Sequence, residues 1–401
     1  MTTTPVRRVE PALVVILAGV VAALHIGKLP PAIPVLREAL GLTLVQAGFL
    51  LSLVQFAGMT VGVVFGVVAD GLGNRRSMSL GLALLAIVST LGGLSHGVAR
   101  LMLLRAAEGF GFLLVVLPAP GFVRSLVEPR RASAMMGVWG AYMPLATALA
   151  LLVGPLAIAA IGWRGWWWAL AVLSAAMAVW LRRAVPADAI AARPASSSSW
   201  LLRLRRTLAA PGPWLVAVLF ALYSGQWLAV IGFLPSIYVQ SGIVGSAAGV
   251  LTATVAAANM LGNIGSGRLL QRGVAPSRLL RIGFATMALA AIATFAGSGD
   301  AGLPPALRYA AVLLFSSVGG LVPATLFALA VRFAPGEGTL STTVGWVQQW
   351  SAFGQFAGPP LVAAVASTTG NWQWTWVATG ACSVAGLLLT VGLGRLHART
   401  T

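Results

Sequence analysis

Long apolar stretches alternate with short polar breaks along this chain. A helix needs about 20 mostly apolar residues to cross a bilayer, and twelve stretches fit that length to within a few residues. Six lie at 11–34, 42–69, 78–94, 101–122, 132–161 and 166–181. Six more lie at 214–239, 244–266, 280–296, 308–333, 341–367 and 374–393. The breaks at 70–76, 128–131 and 268–281 are polar, and those at 297–305 and 335–338 are rich in glycine and proline. The longest break, 182–213, divides the chain almost in half and holds six arginines and the run Ser196–Ser199. The pattern predicts an all-α polytopic membrane protein of twelve transmembrane helices in two six-helix, pseudo-symmetric bundles. The expected organisation is an N-terminal bundle over 1–181, a linker over 182–213 on the inner membrane surface, and a C-terminal bundle over 214–401.

Composition agrees. Only 8% of the 401 residues are charged and 58% are hydrophobic, against roughly 25% charged in soluble domains. The net charge of +18 would point to nucleic acid in a soluble protein. In a membrane protein it marks the cytoplasmic side. With the N-terminus inside, nineteen of the 26 basic residues fall in cytoplasmic segments, and Arg37, Arg100, Arg164 and Arg308 fall outside. Both termini are therefore expected in the cytoplasm, in a bacterial inner membrane. Arg7 and Arg8 read as an inside anchor, and the first apolar run has no evident cleavage site for a signal peptide.

Several chemistries are excluded. The single lysine, Lys28, is followed by Leu29, so no P-loop is present. One cysteine, Cys382, and three dispersed histidines supply neither an internal disulfide nor a metal site. No cofactor, no metal, no nucleic acid and no obligate protein partner are expected. The expected partners are a small-molecule substrate, the lipid bilayer and coupling protons.

The halves repeat. At an offset of 201, Pro34 falls on Pro235, Gly41 on Gly242, Gly48 on Gly249, Leu50 on Leu251 and Gly66 on Gly267. With a small drift, Leu117-Pro118-Ala119 matches Val322-Pro323-Ala324, and Gly154-Pro155 matches Gly358-Pro359. Two parallel six-helix repeats imply a carrier whose halves rock about a site between them.

The loop after the second stretch runs from Gly66 through Asp70 and Gly73 to Arg75 and Arg76. It resembles the cytoplasmic loop of the major facilitator superfamily, Gly-x-x-x-Asp-x-x-Gly followed by basic residues. The fourth stretch carries Arg105-Ala-Ala-Glu108-Gly109-Phe-Gly111, similar to that family's Arg-x-x-x-Gly-x-Gly pattern. The resemblance implies alternating access, with Asp70 latching the inner gate. Gly71 stands where members usually have a basic residue, and Gln271 replaces the second-half aspartate. The drug-antiporter signature on the fifth helix is missing. The fourth helix and the segment Gly162-Trp-Arg-Gly look most like permeases grouped with cyanate and nitroimidazole transporters.

Candidate chemistry follows from polar residues in apolar helices. His25 and Lys28 share a helix face at i and i+3, as do Arg105 and Glu108. Lys28 either faces a cavity or snorkels to the outer surface. Glu108, the only carboxylate well inside a predicted helix, is either the proton-coupling group or half of a structural ion pair with Arg105. Tyr223, Gln226 and Trp227 share a face of the seventh helix, and the repeat equates Gln226 with His25. Gln55, Tyr142, Gln348 and Gln349 complete the candidate substrate site, while Asn259 and Asn263 read as interhelical hydrogen bonds. The expected function is transport of a small organic or inorganic anion by alternating access, coupled to protons. The alternative is proton-driven efflux of lipophilic or aromatic compounds. No catalytic constellation is evident, so no enzyme is expected.

Overall fold

The computed structural model describes residues 9–62, 73–186, 200–297, 302–336 and 339–397, and within them every regular element is a helix. Ten helices are long and apolar enough to cross a membrane. One of these, Tyr142–Ala184, is two spans in sequence, because Gly162 turns the backbone at φ 71°, ψ 169°. Leu340–Thr369 is a further uncharged helix of 30 residues, which brings the spans to twelve.

The first half comprises α1 (Pro11–Leu40), α2 (Leu44–Gly62), α3 (Asn74–Gly93) and α4 (Val98–Ser125). It continues with α5 (Pro129–Gly140, resuming at Tyr142 and running to 161) and α6 (163–184). A ten-residue helix, Trp200–Ala209, precedes the second half. That half comprises α7 (Pro211–Gln240), α8 (Ser246–Gln271), α9 (Pro276–Phe295), α10 (Pro305–Arg332), α11 (Leu340–Thr369) and α12 (Thr375–His397). The face where α1 begins is termed basal and the opposite face distal.

Local chemistry sets the breaks. Pro30 and Pro31 lack the N–H groups that would bond the carbonyls of residues 26 and 27, and α1 steps at Lys28 between Pro11–Gly27 and Leu29–Leu40. Thr43 caps α2 through a capping box with Gln46. The same helix tightens to a 3₁₀ turn at Leu53–Gln55.

The halves meet through α2 with α11, α5 with α8, and the end of α1 with α7. Glycines allow this approach. A Cβ at Gly48 would lie 2.9 Å from Pro359 O and from Pro360 Cα of α11. Phe49 and Phe56 flank that contact by meeting Phe356 at 6.3 and 6.1 Å between ring centroids. The basal part of α5, Pro129–Gly140, packs instead within its own half, on α1, on the basal end of α4 and on the rest of α5. The state described is thus closed at the distal face.

Candidate functional site

Four ionisable side chains converge inside the first bundle. The step at Lys28 directs its ammonium inward, where it pairs with Glu108 Oε1 of α4. Arg105, one helical turn before Glu108, holds the other carboxylate oxygen at 2.5 Å. His25 Nδ1 lies 3.3 Å from Lys28 Nζ and 3.7 Å from Glu108 Oε1. All four are buried, with Lys28 fully so. Lys28 neither snorkels nor faces an open cavity. The two i, i+3 pairs visible in the sequence are one cluster.

Neighbouring helices complete it. Lys28 Nζ donates to Ser89 Oγ of α3 at 3.1 Å, and that hydroxyl donates onward to Trp167 O of α6 at 2.9 Å. The ammonium also stands 4.7 Å from the centre of the Trp167 ring, a favourable cation–π position. His25 Nε2 and Ser174 Oγ of α6 share a hydrogen bond of 2.8 Å. Arg105 donates from Nε to Leu50 O at 3.1 Å and from Nη1 to His25 O at 2.5 Å. Its Nη2 is buried without a hydrogen-bond partner. With a neutral imidazole, one carboxylate faces two cations, so the cluster carries a formal excess of one positive charge. Buried charges are costly unless paired, which makes this excess the most consequential feature of the bundle. A crevice beside Arg105 and Glu108, bounded by Leu29, Leu50, Leu101, Leu104 and Trp167, has no room for a water molecule in this state.

Ser89, Ser174 and Trp167 are the cluster residues that sequence reasoning missed. Hydroxyls and tryptophans are common in membrane helices, and no spacing ties these three to α1.

The second bundle has the same joint without charge. Gln226, the repeat counterpart of His25, accepts from Ser383 Oγ of α12 at 2.9 Å and donates to Leu222 O at 3.0 Å. Thus α1 joins α6 through His25 and Ser174, and α7 joins α12 through Gln226 and Ser383. Tyr223 and Trp227 belong to a separate network. Asn259 Nδ2 donates to Tyr223 OH and to Ser316 O, both at 2.9 Å, and Trp227 Nε1 donates to Ser316 Oγ at 3.2 Å. Asn263 Nδ2 donates to Asn259 Oδ1 at 2.9 Å. These residues bind α7, α8 and α10 together.

The remaining candidates are dispersed. Gln55 Nε2 donates to Gln355 Oε1 across the two halves at 3.0 Å. Tyr142 stacks on Trp139, with centroids 4.3 Å apart. Gln348 is partly buried on α11, and Gln349 faces Gly62 of α2. Of the loop motif, Gly66 and Asp70 lie outside the described residues. Gly73 precedes α3 at φ 82°. Arg75 Nη1 donates to Val185 O at 3.1 Å, tying the start of α3 to the end of α6, and Arg76 is exposed. Among the described residues, no three His, Cys, Asp or Glu side chains are grouped to hold a metal ion.

Comparison with known proteins gives this architecture its family. Over 358 residues the chain is 26% identical to the 2-nitroimidazole transporter of Escherichia coli, covering 86% of this chain and 84% of that one. It is 24% identical over 237 residues to the cyanate transport protein of the same organism, covering 57% and 59%. Other curated relatives are matched over only 19–28% of their own length. A solved bacterial homologue of the human lysosomal transporter Spinster shares the fold, with a TM-score of 0.75, 15% identity and coverage of 97% and 96%. The family profile of the Major Facilitator Superfamily matches residues 15–359. The twelve spans, the paired bundles and this match agree: the chain belongs to the Major Facilitator Superfamily of membrane transporters.

Proposed function

We propose that this transporter carries a small anion by alternating access, with protons as the coupling ion and Glu108 as the group that links them. One observation carries the reading: a single carboxylate, Glu108, is held between Lys28 and Arg105 inside the bundle, and Arg105 Nη2 has no acceptor. A proton on Glu108 weakens its hold on both cations and leaves the cluster with two positive charges. An anion then takes the place of the lost carboxylate charge. Release of the anion is favourable only when Glu108 gives up its proton, so the two move together. The crevice beside the cluster has no room for water in this state, so the anion reaches the cluster only after the helices around it move. The arginine distribution supports a cytoplasmic basal face.

The test is thermal stabilisation of the purified protein by a panel of small anions, lipophilic cations and neutral aromatics. A ligand at 100 times its Kd stabilises the folded state by about 2.7 kcal/mol. Stabilisation by anions, lost in Arg105→Gln, supports the proposal; anion binding unchanged in Arg105→Gln sinks it. Proton-driven uptake of the same anion into vesicles tests the coupling.

A second reading, export of a lipophilic compound, has its own observation. An apolar crevice of ≈650 Å³, counted to its open side, lies between α7, α11 and α12, lined by Leu222, Ala229, Trp350, Phe353 and Leu361 among others. Gln226, which also lines it, is already bonded to Ser383. Stabilisation by lipophilic compounds alone, indifferent to Arg105, selects this reading.

A further inference from the structure

Residues 50–55 of α2 touch the charged cluster on one side and the opposite half of the molecule on the other. Leu50 O accepts from Arg105 Nε at 3.1 Å, and the Leu50 side chain borders the crevice beside Arg105 and Glu108. The next side chain, Leu51, reaches α7, where a Cβ at Gly232 would meet Leu51 Cδ1 at 2.9 Å. Gln55 bonds Gln355 of α11. Gln355 Nε2 donates to Ser351 Oγ at 3.3 Å, and Ser351 O accepts from Ser224 of α7 at 2.8 Å. Between these contacts lies the 3₁₀ turn Leu53–Gln55. The Val54 carbonyl sits against Gly109, the residue after Glu108.

We infer that Leu51 and Gln55 are positioning residues through which the Glu108–Arg105 pair sets the closure of the distal face. The 3₁₀ turn supplies the geometry. A 3₁₀ helix rises about 2.0 Å and turns about 120° per residue, against about 1.5 Å and 100° in an α-helix. Three residues passing from one form to the other shorten the segment by about 1.5 Å and rotate Gln55 by about 60°. That motion is enough to part Gln55 from Gln355. Arg105 holds the start of this segment by its Leu50 carbonyl, so a change in the pairing of Arg105 reaches the contact between halves within two helical turns. The inference rests on the reading of Glu108 as the coupling carboxylate.

The experiment measures the distal opening directly. Spin labels at Glu38→Cys and Val244→Cys, in a Cys382→Ser protein held in nanodiscs, report the distance between the two halves by pulsed electron resonance. Glu108→Gln, which mimics the protonated carboxyl, is expected to raise the long-distance population at least threefold. Adding Leu51→Ala with Gln55→Leu is expected to abolish that response. Gln355→Leu, which alters only the far side of the contact, is expected to blunt it and serves where the α2 variant does not fold. The same threefold response in the Leu51/Gln55 variant or in Gln355→Leu overturns the linkage and leaves the role of Glu108 standing. No response to Glu108→Gln in the parent overturns the coupling reading, and the linkage with it.

Discussion

Gly249 of α8 lies against the ring of Pro155 in α5, so closely that a Cβ at 249 would stand 2.9 Å from Pro155 Cγ. Its repeat partner does the same across the other seam, where Gly48 of α2 lies on Pro359 and Pro360 of α11. Both members of each contact are positions that the sequence repeat had already matched, Gly48 with Gly249 and Pro155 with Pro359. The two seams are one joint used twice, with the halves exchanging roles.

Larger residues at these glycines should hold the seams apart. Gly48→Leu and Gly249→Leu are each expected to abolish transport while leaving a folded, monodisperse protein. A cysteine at Gln355 in the Cys382→Ser background should become labelled by a water-soluble maleimide applied from the distal side. Transport at the parent rate in either variant would show that the seams need not close so tightly.

Removal of Glu108 alone should be more damaging than removal of a pair. Breaking a buried ion pair by deleting one partner costs about 3–5 kcal/mol, because a charge is left unpaired. Glu108→Leu is expected to lose stability on that scale in thermal denaturation. The double variant Glu108→Leu, Lys28→Met should recover part of the loss, which a double-mutant cycle will show as a coupling of opposite sign to additivity.

The neutral joint of the second half predicts what the first half tolerates. His25→Gln places at α1 the side chain that α7 uses at the equivalent position, and it keeps a partner for Ser174. Its cost should stay within the range of a single hydrogen bond, about 0.5–1.5 kcal/mol. His25→Leu orphans Ser174 and the Lys28 contact and should cost more. Equal losses in the two variants would show that shape alone matters at this position.

Gly162 isolates a backbone effect. No atom lies within 4 Å of a Cβ built there, yet its φ of 71° with ψ of 169° is a region essentially reserved for glycine, costing other residues about 1–3 kcal/mol. Gly162→Ala should therefore lower the melting temperature without any steric clash. Gly97→Ala, equally open but at φ −145°, should not.

Most of the fold was legible because the bilayer demands a fixed length of apolar chain. The gap between 161 and 166 was read as a break, and it coincides with the turn at Gly162 inside a helix that is otherwise continuous by hydrogen bonding. The site was legible only in halves. Helical spacing paired His25 with Lys28 and Arg105 with Glu108, but nothing in the spacing says that α1 and α4 meet at that height. Snorkelling stood open for Lys28 in the sequence, whereas the prolines after it break the helix and leave the ammonium pointing into the bundle. Gln55 and Gln226 were seen as polar residues in apolar helices, and both are used, one between the halves and one within a half.

The contrast between His25–Ser174 and Gln226–Ser383 has an electrical consequence. Both joints lie within the span of the membrane, but only the first is surrounded by Lys28, Arg105 and Glu108. An elementary charge moved through the full transmembrane voltage changes energy by about 2.3 kcal/mol per 100 mV. On the proposed alternating-access cycle, the unbalanced charge of the first bundle would shift in that field as the halves rock, while the uncharged joint of the second would not. A membrane potential would then act on this carrier through one bundle, which would make two similar folds unequal partners in the cycle.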